Sequence, residues 1–467
     1  MNKIFRLLLI FILVTNCSLN KIPNYWSKKE NTEEDKKEFA AKAIPKKICE
    51  GIIFKKCKEP DNPNIKKIFL KDKTINSEFN SDLKIQLKFE MIENNNHNSS
   101  TNNNDGRVNY DGDLKKISIY KFSKIENFSK YEPTPLFTDN NIIFFDNKGH
   151  ILNFDIKGNL LWKKNFYKKR EQKKKPVLFF ESQDETIIVV DTIGKYYAIN
   201  IKTGNKLWSK NGVSPFNSQI KIYKDKFFVI DFENTLRAYS INNGNEIWNI
   251  KTESSLIRSQ KKLSIAIEGE NIFFNNPLGD ITAVNMTTGE LLWQTPTQSS
   301  LVYDEGFFLE NSDIVINEES LYFSNNNNQF FSLDVKTGII NWTQKINSNV
   351  RPTIIDNLIF TVTLEGYLVI IEKVSGNIIR INYLLKDFDK KYLLEDKMIS
   401  HNILTTGFIV GKNYIYLTTN KGKLHIIKIK NGKTIKILKI DNKKIYRPKV
   451  MNQDLFITTE SSIVKLN

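Results

Sequence analysis

A glycine followed four positions later by a tryptophan recurs five times in this chain, and this repeat constrains the fold more than any other feature. The five pairs are Gly158 and Trp162, Gly204 and Trp208, Gly244 and Trp248, Gly289 and Trp293, and Gly338 and Trp342. Two weaker copies keep the glycine but replace the tryptophan, with Arg380 after Gly376 and Lys436 after Gly432. Successive glycines are 38 to 56 residues apart, which suits one four-stranded antiparallel blade of a β-propeller per repeat.

The residues around each glycine have the chemistry of a β-hairpin. Runs such as 187–190 and 196–199 are typical of strands whose two faces pack against neighbouring blades. The glycine is expected to take the positive φ angle that the turn demands. Because the tryptophan follows on the outer strand, we expect it to wedge between adjacent blades and to bury a large apolar area at each interface.

Counting strands predicts eight blades. Seven repeats carry a full set of strands, from near Pro135 to near Asp441, and residues 446–467 supply three more strands. The missing fourth strand is predicted at residues 115–122, where apolar and polar side chains alternate. Pairing this N-terminal strand with the last blade closes the ring and removes two open sheet edges. The sequence therefore predicts an all-β, eight-bladed β-propeller over residues 114–467.

The first residues have the pattern of a secretory signal. Lys3 and Arg6 flank the start of an apolar run at residues 7–14, which is far shorter than the ~20 apolar residues needed to span a bilayer. The residues around Cys17 resemble a bacterial lipobox, in which the cysteine is diacylated and becomes the new N-terminus. We expect a signal peptide at 1–16 and a lipid on Cys17. A plain secretory signal with an incidental cysteine is the alternative.

Residues 17–113 differ in composition from the repeats. Charged residues dominate 28–47, and the asparagine-rich segment 93–106 has almost no apolar side chain. Such a region buries too little to offset its ordering entropy, so we expect a lipid-anchored, largely disordered polar tether. The net charge of +17 favours association with anionic surfaces. Nucleic acid is not expected as a partner of an exported chain that has no stacking platform or binding-helix motif.

The cysteines and histidines predict no metal site. In an oxidising periplasm Cys49 and Cys57 would form a small disulfide loop, and two free thiols are the alternative. The chain has no Cys-x-x-Cys motif, and its four histidines are widely scattered in sequence. Neither pattern has the ligand spacing of a zinc site.

The Gly-x-x-x-Trp repeats resemble the PQQ-like repeats of β-propellers. The order of signal, lipobox-like cysteine, polar linker and eight blades resembles the BamB family of outer membrane protein assembly lipoproteins. The resemblance covers residues 114–467 and implies a non-enzymatic scaffold without cofactor, lipid-anchored on the periplasmic face of the outer membrane. The implied partners are a POTRA domain of the BamA-like barrel-assembly subunit and nascent outer membrane proteins.

The resemblance also implies partner-binding residues. In the family, a loop with two apolar residues and an arginine leads into a mid-chain blade and contacts the partner. The matching residues here are Leu256, Ile257 and Arg258, which belong to the types enriched at interface hot spots. Glu310 is the nearest candidate for the acidic residue that the family carries on the following loop. An ordinary connector with Arg258 in solvent is the alternative.

Two other functions compete with the scaffold. A quinoprotein dehydrogenase would need a catalytic aspartate, a calcium site, a tryptophan platform and, in many members, an adjacent cysteine pair. No cysteine lies within 114–467, and Asp191, Asp231 and Asp280 stand at strand ends where hairpins usually place them, so no catalytic residue is predicted. The other alternative is an envelope lipoprotein propeller that binds peptidoglycan, polysaccharide or a signalling partner, which a concave aromatic cluster on one face would favour.

Overall fold

The computed structural model describes residues 48–50, 56–58, 77–87, 101–138, 140–252, 261–297, 309–385 and 403–467. The chain divides into two compact units, Met1–Leu70 and Lys71–Asn467. In the first unit, β1 (Ile48–Glu50) and β2 (Lys56–Lys58) pair in an antiparallel register that sets Cys49 opposite Cys57. Opposite residues of such a pair lie about 4.5–5.5 Å apart at Cα, a separation that a disulfide can span. The disulfide itself stays a prediction.

In the described part of the second unit, the strands form eight antiparallel sheets of four strands each. The strand β3 (Lys116–Lys121) precedes the first blade, which consists of β4 (Leu136–Phe137), β5 (Asn141–Phe145), β6 (His150–Asp155) and β7 (Leu160–Asn165). The second blade has β8 (Leu178–Gln183), β9 (Thr186–Asp191), β10 (Lys195–Asn200) and β11 (Lys206–Asn211). The third has β12 (Lys221–Tyr223), β13 (Lys226–Ile230), β14 (Thr235–Ser240) and β15 (Glu246–Lys251). The fourth has β16 (Ile265–Glu268), β17 (Asn271–Asn275), β18 (Ile281–Asn285) and β19 (Leu291–Thr295).

The remaining blades follow in the same order along the chain. The fifth has β20 (Val315–Asn317), β21 (Ser320–Asn325), β22 (Gln329–Asp334) and β23 (Ile340–Gln344). The sixth has β24 (Thr353–Ile355), β25 (Leu358–Val362), β26 (Tyr367–Glu372) and β27 (Ile378–Tyr383). The seventh has β28 (Thr405–Val410), β29 (Tyr414–Thr419), β30 (Lys423–Lys428) and β31 (Thr434–Lys439). The eighth has β32 (Lys449–Met451), β33 (Asp454–Thr458) and β34 (Ser462–Leu466), with β3 as its fourth strand.

This arrangement confirms the predicted eight-bladed propeller and its closure. The strand β3 pairs antiparallel with β34, with Ile119 opposite Val464, so the last blade contains both ends of the repeat region. First strands of neighbouring blades contact each other, for example β8 with β12 and β12 with β16, so the first strands line the central channel. Middle strands are buried on both faces, whereas outer strands such as β11 expose alternate residues to solvent.

Helices contribute little to the described part of the chain. Two helices of one turn each, α1 (Phe128–Tyr131) and α2 (Lys169–Gln172), lie in the connections before the first and second blades. Within the described residues, neither these helices nor any other is long and apolar enough to cross a membrane.

The tryptophan and the glycine of the repeat meet between blades, not within one blade. The Trp208 ring lies on Gly244 of the next blade, where an added Cβ would come within 2.5 Å of the ring. Its Nε1 donates a hydrogen bond to the Ile241 carbonyl, at 2.7 Å. Gly244 also has a φ of +67°, which a side chain disfavours, so both the turn and the neighbouring ring require glycine.

The same pairing links the other tryptophan blades to their successors. The remaining Nε1 groups donate to a next-blade carbonyl as follows: Trp162 to Ile201 at 3.0 Å, Trp248 to Met286 at 3.2 Å, Trp293 to Val335 at 3.1 Å and Trp342 to Lys373 at 3.2 Å. Each acceptor residue stands three positions before the glycine that the ring covers. The tryptophan of one blade and the glycine turn of the next blade therefore form a contact between the two blades, and the repeat motif encodes this contact.

The structure differs from the predicted disordered tether at residues 101–110, here called the plug, which enter the central channel. Asn103 is fully buried, and its side-chain amide donates to the carbonyls of Ile265 at 2.9 Å and Ile314 at 2.8 Å. The Thr101 carbonyl accepts from the backbone N–H of Ile267 at 2.9 Å. The composition argument fails here because hydrogen bonds to the open edges of first strands hold the asparagine-rich part of the segment, while Val108 and Tyr110 at its end are buried.

Residues 77–87, here called the strap, also pack against the propeller. The backbone N–H of Ile381 donates to the Phe79 carbonyl at 2.7 Å, so the strap extends the outer edge of the sixth blade. Ile85 is buried in an apolar cluster shared by the sixth and seventh blades. The predicted signal peptide and Cys17 lie outside the described residues. Within the predicted tether, so do residues 18–47, 51–55, 59–76 and 88–100.

Candidate functional site

Connections between blades define one face of the propeller, here called the connector face. Each connection leads from an outer strand to the first strand of the next blade, so it runs inward to the channel mouth. The predicted partner loop belongs to the connection between β15 and β16. Leu256, Ile257 and Arg258 lie outside the described residues, which resume at Lys261.

Glu310 lies on the connector face beside the residue that follows this loop. Its carboxylate accepts a hydrogen bond from the Asn349 side-chain amide. The carbonyl of Asn349 in turn accepts from Lys261 Nζ at 2.6 Å. The structure therefore brings Glu310 and Lys261, the first described residue after the predicted loop, together through Asn349, although a blade separates them in sequence.

A cavity of about 370 Å³ occupies the channel on the same side. Four charged residues of its lining, Lys262, Asp313, Arg351 and Arg447, each stand two or three positions before a first strand. Asn104 and Asp105 of the plug complete the lining. The connections and the plug thus place side chains from distant parts of the chain around one space.

Two arginines form ion pairs with Asp105 of the plug and with Asp313 beside it. Asp105 accepts from Arg447 Nη1 at 2.5 Å and lies 3.6 Å from Arg351 Nη1. Arg351 also contacts Asp313, with 2.5 Å between Nη2 and the carboxylate. Burial alone would raise the pKa values of Asp105 and Asp313, but the arginines outweigh it and hold both pKa values below their ordinary range. Both aspartates are therefore ionised and paired at neutral pH.

The other two carboxylates of the lining also face cations. Glu132 lies 2.7 Å from Lys444 Nζ, and burial is outweighed by Lys444 and Lys261, so the pKa of Glu132 is lowered. Burial raises the pKa of Glu181 to about 7, partly offset by the charge of Lys221. Burial likewise lowers the pKa of Lys221 to about 7, partly offset by Glu181. In this second pair burial acts against the charged form of both groups, and the attraction between them offsets it in part.

Two lysines of the cavity lie over aromatic rings. Lys449 Nζ is 4.9 Å from the centroid of Phe137, and Lys262 Nζ is 6.0 Å from the centroid of Phe179. Lys262 also donates to the Glu132 backbone carbonyl at 3.3 Å. Among the described residues, neither ammonium group has a carboxylate oxygen within ion-pair distance. Desolvation by burial lowers the pKa of both lysines.

Sequence reasoning missed this cavity. Lys262, Asp313, Arg351 and Arg447 stand in four separate connections, and a charged residue before a strand has no motif around it. The one available signal was their shared position two or three residues before a first strand. Recognising it required the blade register, which the glycine and tryptophan repeat provides.

A quinone cofactor with its calcium ion does not fit these residues. The described lining of the cavity contains no tryptophan that could form a platform. Asp105 and Asp313, the carboxylates nearest the plug, are engaged by arginines, and arginine competes with any cation for their oxygens. Among the described residues no three His, Cys, Asp or Glu side chains are grouped to hold a metal ion. The propeller region also lacks cysteine.

Two of the three aspartates that the sequence places at strand ends, Asp191 and Asp231, close turns. In the fourth blade Asn276 closes the turn instead, and the Asp280 carboxylate accepts from the Thr297 backbone N–H at 3.2 Å. Asp231 accepts from the backbone N–H groups of Glu233 at 2.9 Å and Thr235 at 3.1 Å, and pairs with Arg237 at 2.8 Å. Asp191 accepts from the N–H groups of Ile193 and Lys195 in the same way. Turn closure thus accounts for the positions of Asp191 and Asp231.

The fold and the connector face define a PQQ-like repeat β-propeller with a charged cavity at its channel mouth. A family model described as outer membrane protein assembly factor BamB matches residues 131–382, more than half of the chain, and the chain belongs to this family. A curated relative, the outer membrane protein assembly factor BamB of Legionella pneumophila (strain Paris), is 24% identical over 222 residues. That match covers 45% of this chain and 51% of the relative, so the chain spans about half the length of that protein.

Solved structures share the fold. The crystal structure of BamB from Moraxella catarrhalis matches with a TM-score of 0.61 and 16% identity, covering 76% of this chain and 99% of that one. The quinohemoprotein alcohol dehydrogenase from Comamonas testosteroni matches with a TM-score of 0.57 and 11% identity, covering 77% of this chain and 78% of that one. At these identities the likeness concerns the propeller alone.

Proposed function

We propose that this chain is a non-enzymatic scaffold of outer membrane β-barrel assembly. It binds a BamA-like barrel-assembly subunit through the connector face and assists the insertion of nascent outer membrane proteins. The observation that carries the proposal is the match of residues 131–382 to the BamB family model. A relative in Legionella is named for the same assembly function, which adds support.

The connector face supports the choice of binding residues. Leu256, Ile257 and Arg258 form the proposed anchor, and Glu310 is the proposed acidic residue beside it. Lys261, the first described residue after this loop, and Glu310 share Asn349, and this contact supports the choice of one local surface for the loop and the carboxylate. An arginine and two aliphatic side chains next to a carboxylate combine apolar burial with a directional polar contact, as interface hot spots commonly do.

The proposed location is the periplasmic face of the outer membrane. The signal pattern at residues 1–16 and the lipobox-like residues around Cys17 support export and lipid anchoring. A disulfide between Cys49 and Cys57 would be compatible with that compartment, and their opposite positions in the β1–β2 register support it. The positive net charge suits a surface rich in anionic head groups.

Affinity capture of the tagged full-length lipoprotein from solubilised envelopes tests the partner and the surface together. We expect recovery of the barrel-assembly subunit with the native chain and a loss of at least about tenfold with Arg258→Glu, as for a hot-spot residue. Arg170→Glu is the matched control, because Arg170 is an exposed arginine of another connection on the same face. Absence of the subunit from the native capture would overturn the function, whereas equal recovery with both variants would overturn the surface.

A further inference from the structure

We propose that the channel cavity is a binding site for a small aromatic carboxylate. The proposal is independent of the scaffold function, since it concerns a different set of residues. It rests on the charge balance of the lining, on the aromatic rings beneath two lysines, and on the plug that closes the channel behind them.

The charge balance of the cavity leaves cations in excess. Among the described residues, and leaving aside Lys261, whose Nζ donates to the Asn349 carbonyl, six cationic and four acidic side chains line the cavity or pair with its lining. The cations are Lys221, Lys262, Arg351, Lys444, Arg447 and Lys449, and the acids are Asp105, Glu132, Glu181 and Asp313. Each acid has a cationic partner among the two arginines, Lys444 and Lys221. An anion entering the cavity would therefore meet an uncompensated positive potential.

Lys262 and Lys449 are the groups that would hold the anion. Both side chains are partly buried, and this desolvation lowers the pKa of each; the ammonium group of each lies over a ring face rather than on a carboxylate. A buried ammonium gains more from an anion than an exposed one, because the local dielectric constant is lower. The ring contacts hold the two ammonium groups in place before the ligand arrives.

The walls of the cavity select an apolar, flat body for the ligand. Phe137, Phe179, Phe180, Tyr446 and Phe456 all contribute to the lining. Flat aromatic groups stack on such rings in offset or edge-to-face arrangements. A volume of about 370 Å³ lies within the range of small-molecule sites, which are commonly mostly apolar with a few convergent polar groups.

The plug contributes to the lining of the cavity. The plug supplies the closed end, because Asn104 and Asp105 line the cavity while the Asp105 carboxylate is already paired with Arg447. The site is thus a pocket lined by connections of several blades and by the plug, with cationic groups contributed from the fourth, sixth and eighth blades.

Calorimetric titration of the full-length protein with 2-naphthoate tests this proposal. We expect binding with one site per chain, and binding about tenfold weaker for 2-naphthamide, which keeps the rings but lacks the charge. Acetate, which keeps the charge but lacks the rings, should bind more weakly still. Equal affinity for naphthoate and naphthamide, or no naphthoate binding at millimolar concentration, would overturn the proposal.

Variants locate the site. Lys262→Gln with Lys449→Gln in one protein should weaken naphthoate binding at least about tenfold, since two charge-assisted contacts are lost. Lys436→Gln is the matched control, because Lys436 is an exposed lysine of the outer strand β31. The thermal unfolding midpoint of each variant shows that the propeller is intact. Unchanged naphthoate binding in the folded double variant would place the ligand elsewhere and sink the proposal.

Discussion

The first five blades carry their own interface residues, whereas the last three rely on chain outside the repeats. Each of the first five has a tryptophan that reaches a carbonyl of the next blade. Arg380 and Lys436 stand at that position in the sixth and seventh blades.

The turn between the second and third strands of each blade also differs between the two groups of blades. Asp or Asn closes it in the first five blades, at Asp146, Asp191, Asp231, Asn276 and Asn325, and Thr in the last three, at Thr363, Thr419 and Thr459.

N-terminal residues pack where the repeats are weakest. Ile85 of the strap lies in the cluster of the sixth and seventh blades, and Val108 and Tyr110 of the plug lie in that of the seventh and eighth. Arg380 is fully buried and donates from Nη1 to the carbonyls of Leu83 in the strap and Lys430 in the seventh blade. A degenerate repeat is thus stabilised by a segment that the repeat does not encode. The comparison teaches that the folding unit begins before residue 114.

The largest effect is expected from Tyr110→Ala. Tyr110 is 1% exposed, stacks edge-on against Tyr416 at 4.9 Å and donates to the Asn467 carbonyl at 2.9 Å. Truncation should cost about 4 kcal/mol of unfolding free energy, as for other buried aromatic residues. Urea unfolding gives the loss, and hydrogen exchange should show it concentrated in the seventh and eighth blades.

Trp208→Ala sharpens this comparison, because it removes the corresponding contact from the tryptophan blades. In the Trp208→Ala variant, amide hydrogen exchange should rise in the second and third blades instead, because Trp208 joins these two blades. Leu207→Ala is the control, since Leu207 is an exposed neighbour on the same strand. If Tyr110→Ala left the seventh and eighth blades fully protected, the plug would not be part of the folding unit.

The second effect concerns pH and is expected at Asp191 in the second blade. At the equivalent Asp146 of the first blade, burial is outweighed by hydrogen bonds from His150 and from backbone N–H groups, so the pKa of Asp146 is lowered. Burial raises the pKa of Asp191 to about 6, despite a hydrogen bond of 2.6 Å from the Tyr167 hydroxyl. The folded state therefore holds this proton more tightly than the unfolded state, whose Asp pKa is about 3.9. The stabilisation is fully present below pH about 4 and is lost as pH rises through about 6, a change of about 3 kcal/mol.

Comparison of the native chain with Asp191→Asn isolates this contribution. Urea unfolding between pH 4 and pH 7 should show a steeper loss of stability in the native chain than in the variant. The last three blades, with threonine at this turn position, should show no counterpart. Parallel pH profiles for the two proteins would show that the carboxyl titrates alike in the folded and unfolded states.

The repeat made most of the fold predictable. The features that were missed depend on contacts between residues that are distant in sequence and belong to no repeat. Glycine and tryptophan at fixed spacing predicted the blades, and the alternation in residues 115–122 predicted the strand that closes the ring. The plug was missed because its order depends on amide contacts such as Asn103 to Ile265, which composition does not register. The cavity was missed because Asp105 and Arg447 are distant in sequence and meet only after the ring closes.

The smallest effect tests whether the strap replaces the missing tryptophan. Ile85 is 7% exposed among residues of the sixth and seventh blades, and its N–H donates to the Lys430 carbonyl at 3.0 Å. Ile85→Ala should cost about 2 kcal/mol, at the lower end for buried aliphatic truncations because the strap lies at the rim and can relax. Leu83→Ala, at a 36% exposed position of the same segment, is the matched control and should cost much less. Hydrogen exchange in β27 and β30 should rise with Ile85→Ala and not with the control. If both variants had the unfolding free energy and the hydrogen exchange of the native chain, the strap would not stabilise the contact between the sixth and seventh blades.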